Sequence, residues 1–265
     1  MLSSSQYAAL IYADIFNYPL TEEELDRWLI AKSKQQQKKI IKKNGYYCLE
    51  GREEIVGWRK KREKYSDEKM IITERVSQWL GKIPTVWAVC VTGSLAMKNC
   101  DENDDIDLMI ITEPGRLWTT RLLCILLTEI LGVRRRKGDK EVKNKICLNI
   151  FLDGGDLLIK NQNLFTAHEV CQAKCLYEKN GAYESFFEEN RWVRDFLPKF
   201  PPSSLDFTRD YGEASKIQII EKLLKHIQLY FMKSHVTTEK ITETQLFFHP
   251  ESIEKEVLDR MQFII

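Results

Sequence analysis

The sequence lacks the compositional extremes that mark specialised protein classes. Its 265 residues are 43% hydrophobic and 30% charged, which excludes collagen-like, low-complexity and wholly disordered chains. Forty basic residues oppose thirty-nine acidic ones, so the net charge of +1 indicates no partner by itself. The seven cysteines are odd in number and contain no Cys-x-x-Cys pair, which predicts reduced core cysteines in a cytoplasmic protein.

The sequence also has no apolar run that would cross a membrane. The most apolar stretch, Leu117–Val133, is short and is interrupted by Arg121 and Glu129. The first sixteen residues have no basic segment and carry Asp14 among apolar residues, unlike a secretory signal peptide. We therefore expect a cytoplasmic protein with no membrane partner.

Changes of pattern divide the chain into four predicted units. Residues 1–58 predict three helices followed by a two-stranded ribbon, the element order of a winged-helix-like domain. Residues 59–82 predict a charged connecting helix, and residues 83–160 alternate strands with helices around a mixed sheet. Residues 161–265 carry helical spacing alone, which predicts a helical C-terminal domain. The expected fold class is α+β.

Turn and capping signals set the predicted boundaries within these units. Thr21 and Glu24 form a capping box at the start of the second helix. The third helix is predicted over Lys34–Lys43, after which Asn44-Gly45 turns the chain into a strand over Tyr46–Leu49. The remaining predictions are strands over Val86–Thr92, Ile106–Thr112, Lys145–Leu152 and Asp156–Ile159, and helices over Tyr7–Phe16, Pro114–Leu131, Leu164–Tyr177, Ala182–Leu197, Glu213–Lys233 and Glu251–Phe263.

One motif in the predicted mixed-sheet unit carries chemistry. A strand ends in Gly93-Ser94, a short helix and an acidic loop follow, and the next strand opens with Asp105-Ile106-Asp107. Gly93 lets a ligand approach the backbone closely, and the Ser94 hydroxyl is suited to a phosphate oxygen. Asp105 and Asp107 alternate on a strand, so their carboxylates lie on one face, an arrangement that suits Mg²⁺ bridged to phosphates.

These four residues, at this spacing, resemble the nucleotidyltransferase superfamily related to DNA polymerase beta. The resemblance covers roughly residues 86 to 159. It implies a mixed-sheet core and a metal, Mg²⁺ or Mn²⁺, held by Asp105 and Asp107. It also implies that a nucleoside monophosphate passes from a nucleoside triphosphate (NTP) to an acceptor, with release of pyrophosphate. The acceptor class stays open among nucleic acid, protein and small molecule.

The third carboxylate of that family has no clear counterpart here. Family members place it on a later strand, and the corresponding position in this sequence is Asn149. Strand alternation predicts that Cys147, Asn149, Phe151 and Asp153 share one face. We therefore assign Asn149 to the catalytic group with Asp105 and Asp107. Since an amide adds no negative charge, the alternative is a catalytically degenerate nucleotide-binding domain that regulates a nucleic-acid-binding winged helix.

Two basic clusters indicate where anions bind. In the presumed catalytic unit, Arg136 and Lys140 belong to a cluster that would hold the triphosphate or a polyanionic acceptor, or would face solvent on an edge strand. In the N-terminal unit, seven cations lie between Asp26 and Glu50 without an acid, which predicts contact with RNA or DNA or a solvated lysine-rich face. These cations are Arg27, Lys32, Lys34, Lys38, Lys39, Lys42 and Lys43.

Overall fold

The computed structural model describes residues 2–31, 39–200, 218–232, 240–248, 251–262 and 264. The N-terminal elements are α1 (Ser4–Ile15), α2 (Glu22–Arg27), β1 (Ile40–Lys43), β2 (Tyr46–Leu49) and α3 (Ile55–Leu80). The central elements are β3 (Val86–Val91), α4 (Gly93–Ala96), β4 (Ile106–Thr112), α5 (Leu117–Ile130) and β5 (Ile146–Asp153). The last are α6 (Leu164–Gln172), β6 (Lys174–Glu178), α7 (Ala182–Glu189), a 3-10 turn (Arg191–Asp195), α8 (Gln218–Met232), β7 (Lys240–Ile241), β8 (Gln245–Phe247) and α9 (Glu251–Met261).

A mixed sheet of six strands, in the described part of the chain, forms the centre of the α+β fold. Its strand order is β6-β3-β4-β5-β8-β7, and only the β4–β5 pair is parallel among these neighbours. Both faces of β3, β4 and β5 are covered, which explains why these strands read as continuous apolar runs in the sequence.

Helices form one layer on each face of the sheet. On one face, Met109 and Ile111 of β4 pack in a core that includes residues of α1, α6, α7 and α9. On the other, Leu108 and Ile110 pack with residues of α3 and α5, and α8 lies against α5. Within the described ranges, no helix is long and apolar enough to cross a membrane.

The N-terminal unit contains a hairpin where the end of a helix was expected. β1 and β2 pair antiparallel around Asn44 and Gly45, whose φ values of 51° and 87° suit a tight hairpin turn. The prediction of a helix up to Lys43 is therefore wrong for Ile40–Lys43, because hairpin pairing overrides the helical propensity of the lysines. Residues 32–38, the rest of that predicted helix, lie outside the described residues. The Thr21–Glu24 capping box is confirmed.

The C-terminal third contributes strands as well as helices. β6 pairs with β3 at one edge of the sheet, and β8 pairs with β5 near the other. The expectation that strands end at residue 160 is therefore wrong, as is the predicted strand over Asp156–Ile159, which lies in irregular structure. Residues 201–217, including the start of the helix predicted from Glu213, lie outside the described residues. The division into four units remains a prediction.

Cations on one face of α3 hold the N-terminal unit and the acidic loop. Arg59 is buried, donates two 2.7 Å hydrogen bonds to the carboxylate of Glu24 and one of 2.6 Å to the carbonyl of Pro19. Arg62 contacts both carboxylate oxygens of Asp101 at 2.9 Å. Each of these bonds fixes a segment that is distant in sequence against the same helix.

Lys69 makes the most buried of these attachments, with 2% of its surface exposed. Its ammonium group donates to the carbonyl oxygens of Glu102 at 3.0 Å and Asp104 at 2.7 Å, and to Oδ1 of Asn144 at 2.9 Å. Burial lowers the pKa of Lys69 below its ordinary value. The loop between α4 and β4, which leads into Asp105, is thus tied to α3 by one buried cation.

We expect Lys69→Met to lower the free energy of unfolding by about 3 kcal/mol, because three acceptors lose a charged donor in a poorly solvated place. Urea denaturation followed by circular dichroism measures this. The control is Lys64→Met, an exposed lysine on the same helix, which should stay within about 0.5 kcal/mol of the wild type. Equal stabilities of the two variants would contradict the role given to Lys69.

Candidate active site

The corner between β3 and β4 brings Gly93 against Asp107. The backbone N–H of Thr92 donates to the carbonyl of Asp107 at 3.0 Å, so the two chain segments lie side by side. Gly93 has a φ of 62°, in the left-handed region. A Cβ atom at Gly93 would stand 3.0 Å from Oδ2 of Asp107. Glycine is therefore required here both by the backbone conformation and by the approach of the carboxylate.

Three potential ligand groups cluster at the start of β4 and β5. Side-chain atoms of Asp105, Asp107 and Cys147 lie within 4.8 Å of one another. The Cys147 thiol is hydrogen bonded to Asp107, and burial raises its pKa well above the usual value. The thiol therefore stays protonated, and the two carboxylates are the groups suited to a hard cation such as Mg²⁺ or Mn²⁺.

These carboxylates open into a cavity of about 360 Å³, here called the acid cavity. Its wall includes five predicted site residues, namely Gly93, Ser94, Asp105, Asp107 and Asn149. The structure thus brings together residues from three consecutive strands and their connections. Its remaining lining comes mainly from α1, the segment around α2, and α6.

Glu169 on α6 is an acid-cavity residue that sequence reasoning missed. Burial and then the negative charge of Asp107 raise the pKa of Glu169 to about 7. Burial and then the charge of Asp105 raise the pKa of Asp107 to about 7 as well. Glu169 therefore adds a carboxylate from a helix to those of Asp104, Asp105 and Asp107, which also line the cavity. No local motif marks it, since its place depends on how α6 packs over the sheet.

Asn149 is the extra residue of a bulge in β5. The parallel register pairs Leu108 with Leu148 and Met109 with Ile150, which leaves Asn149 without a partner of its own. Alternation changes phase at this bulge, so Ile150 packs on the face of Met109 whereas Phe151 packs on the opposite face. The prediction that Phe151 shares a face with Cys147 is therefore wrong.

Asp153 has a different task at the far end of β5. It pairs with Thr112, five residues beyond Asp107 along β4, a distance of about 16 Å. Its carboxylate accepts backbone hydrogen bonds from Gly115 at 2.7 Å and Gly155 at 2.9 Å. Asp153 therefore organises a loop and does not complete the acid group.

The cation nearest the acids is Arg135 rather than either predicted residue. Nη1 of Arg135 lies 2.5 Å from Oδ2 of Asp105. Arg136 instead pairs with Glu129 at 2.5 Å, and Lys140 is exposed. Neither Arg136 nor Lys140 lines the acid cavity. The predicted cluster thus reaches the site through a residue one position away from the one chosen.

The wall opposite the acids is aromatic. The ring of His168 stacks on Tyr12 with centroids 3.7 Å apart and on Trp28 with centroids 5.2 Å apart. His168 is buried, and within the described chain neither ring nitrogen has a hydrogen-bond partner. Burial lowers the pKa of His168 to about 3, so the imidazole is neutral near pH 7. The N-terminal unit thereby closes one side of the acid cavity.

The lysine-rich segment of the N-terminal unit is only partly described. Lys39 pairs with Glu50 at 2.6 Å, and Lys42 pairs with Glu22 at 3.0 Å. Lys32, Lys34 and Lys38 lie outside the described residues. Lys39 and Lys42 are therefore each balanced by an acid that is distant in sequence, and nucleic-acid contact stays a prediction.

Comparison with known proteins adds no relative: no family model matches the chain, and no curated protein matches it. A functional assignment therefore depends on the acid cavity and on the motif at its centre.

We expect acid to destabilise the folded protein through His168. Its pKa is about 3 when folded and 6.5 in its ordinary state. Between these values the unfolded chain takes up a proton that the folded protein excludes, so stability is lost as pH falls. At pH 5 the wild type should lose about 2 kcal/mol, relative to pH 7.5, that His168→Phe retains.

Chemical denaturation at pH 7.5 and pH 5 measures this difference. His168→Gln serves as a second variant, because it removes the titration but keeps a polar side chain. The two variants should differ in absolute stability and share the weaker pH dependence. A pH dependence equal to that of the wild type in both would contradict the assignment.

Proposed function

We propose that this protein is a metal-dependent nucleotidyltransferase that moves a nucleoside monophosphate from an NTP to an acceptor hydroxyl. The observation that carries the proposal is the convergence of Gly93-Ser94 with Asp105 and Asp107 on one cavity. The motif alone is short, but Gly93 and Ser94 at the start of α4 and Asp105 and Asp107 at the start of β4 line the same cavity. This is the arrangement that the resemblance to nucleotidyltransferases requires.

The residues present suit a divalent cation. Asp105 and Asp107 offer carboxylate oxygens, Asn149 offers an amide oxygen, and all three line the acid cavity. Burial and then the charge of Asp105 raise the pKa of Asp107, and a bound cation would offset this cost of ionising the carboxyl group. A cation held there would neutralise charge on the triphosphate and on the transferred phosphoryl group.

The chain's own residues then have distinct tasks. Glu169, with a pKa of about 7, suits a general base that takes the proton of the acceptor hydroxyl. The acceptor oxygen attacks the α-phosphorus, the bond to the β-phosphate oxygen breaks, and pyrophosphate leaves. Because Gly93 has no side chain, no Cβ atom keeps the transferred phosphoryl group away from Asp107. Arg135 neutralises Asp105 before substrate binds.

Two substitutions should separate binding from proton transfer. We expect Asp107→Asn to weaken binding of an NTP with Mn²⁺ at least tenfold and to abolish transfer. Glu169→Gln should leave that binding within about threefold and slow transfer by a factor of about 10² to 10⁴, as loss of a general base does. Calorimetry measures binding, and labelled NTPs incubated with RNA, protein or small-molecule extracts measure transfer.

Glu68→Gln, an exposed acid on α3, is the control and should behave as the wild type. Unchanged binding in Asp107→Asn would remove the site assignment. Equal loss of binding in Glu169→Gln would show that Glu169 holds the metal rather than the proton.

Asn149→Asp tests whether the charge at position 149 sets the metal affinity of the acid cavity. A carboxylate at this position adds negative charge beside Asp107, so we expect Mn²⁺ and Mg²⁺ to bind about tenfold more tightly, while the metal-free protein becomes less stable. Gln172→Glu is the matched control, since it also converts an amide to an acid within the acid cavity but on α6. An equal gain in affinity in both variants would mean that the metal affinity depends on the overall charge of the cavity and not on the position of the added carboxylate.

A further inference from the structure

A second cavity, of about 530 Å³, lies beside the acid cavity and is here called the basic cavity. Four residues line both cavities and form the wall between them, namely Tyr18, Trp28, Met97 and Gln172. None of the acid-cavity carboxylates lines the basic cavity. The two spaces therefore adjoin but differ in the groups that they offer.

Cations outnumber acids in the basic cavity. Its charged lining consists of Arg27, Arg59, Lys98 and Lys174 with Glu24 and Glu184. Arg59 and Glu24 neutralise each other across 2.7 Å. Three cations are then left against Glu184 alone, which gives a net positive charge.

The three remaining cations come from three separate segments. Arg27 ends α2, Lys98 follows α4 with a left-handed φ of 55°, and Lys174 begins β6. Lys98 also pairs with Asp67 at 2.8 Å, but both side chains are more than half exposed, and such pairs contribute little. After burial, the charges of Lys98 and Arg27 lower the pKa of Lys174, so the cations lie close enough to repel one another. A bound anion would relieve this repulsion.

We propose that the basic cavity binds a phosphate or similarly charged group of the acceptor, which makes the acceptor a small phosphorylated molecule. This inference rests on the proposed function. A cavity of this volume suits a small ligand, and the aromatic rings of Tyr18, Trp28 and Tyr183 suit its less polar part. An NTP held through metal at Asp105 and Asp107 is on the other side of the shared wall, so a phosphate in the basic cavity belongs to the second substrate.

Inorganic phosphate, titrated calorimetrically into the full chain with EDTA present, is the first probe. We expect saturable binding by the wild type, and a dissociation constant at least about tenfold higher for Arg27→Gln/Lys174→Gln, because two charged donors are lost. The control Lys60→Gln/Lys64→Gln removes the same charge from exposed positions on α3 and should bind as the wild type does. No saturable binding at millimolar phosphate, or equal binding by all three proteins, overturns the inference.

A second titration separates the two possible sources of phosphate. Phosphate is added to protein saturated with Mg²⁺ and a non-hydrolysable NTP analogue. An unchanged phosphate affinity supports an acceptor site, whereas competition assigns the basic cavity to the triphosphate and overturns the acceptor assignment.

Asp107→Asn makes failure of this inference distinguishable from failure of the proposed function. This variant should lose transfer and keep phosphate binding in EDTA. Phosphate binding without any transfer by the wild type would overturn the proposed function, and the acceptor assignment with it, but not the anion site. Transfer by the wild type without phosphate binding would overturn only the acceptor site.

Discussion

The ammonium group of Lys69 holds the loop that leads into Asp105, and the position of this first site acid depends on that attachment. On α3 the polar side chains Arg59, Arg62, Ser66 and Lys69 recur at helical spacing and are all directed into the protein. Over about 15 Å of helix they bind the N-terminal unit at one end and the acidic loop at the other. α3 therefore sets the distance between the aromatic wall and the acids.

Placing several carboxylates close together in the acid cavity costs electrostatic free energy. Asp105, Asp107 and Glu169 share one partly closed space. Burial and then the charge of Asp105 raise the pKa of Asp107, and burial and then the charge of Asp107 raise the pKa of Glu169. Arg135 offsets part of this through Asp105. Carboxylates kept together against repulsion are typical of sites that bind cations or move protons.

The sequence was sufficient to predict that the four motif residues come together, but not which residues form the walls of the acid cavity. The β4 strand and the order Gly93, Ser94, Asp105, Asp107 follow from local pattern, because glycine, alternation and apolar runs act within a few residues. Glu169 could not be found in this way, because it reaches the acids only when α6 packs over the sheet. Likewise, the helix predicted up to Lys43 is wrong for Ile40–Lys43, because these residues pair in a hairpin. The residues of β6 have helical spacing in the sequence, but they form a strand because they pair with the edge of β3.

The buried polar face of α3 is a second feature that the sequence does not predict. In sequence it is indistinguishable from a solvated helix face, since lysine and arginine at helical spacing are normally exposed. Only the partners, which lie more than thirty residues away, decide that Lys69 is inside. Charge patterns therefore predicted the helix but not the direction in which it faces.

The bulge at Asn149 has a consequence for how this chain tolerates change over evolutionary time. Asn149 is the extra residue between the pairs Leu108–Leu148 and Met109–Ile150, so the bulge absorbs it and the residues on either side keep the alternation of a regular strand. Deleting Asn149 would leave Ile150 and Leu152 on their core face and Phe151 on the other, and would remove only one polar side chain from the acid cavity. Deleting a residue beyond the bulge, within 150–153, would reverse the orientation of the residues that follow it. A change of chain length is therefore tolerated at the position that lines the acid cavity and not in the core part of β5.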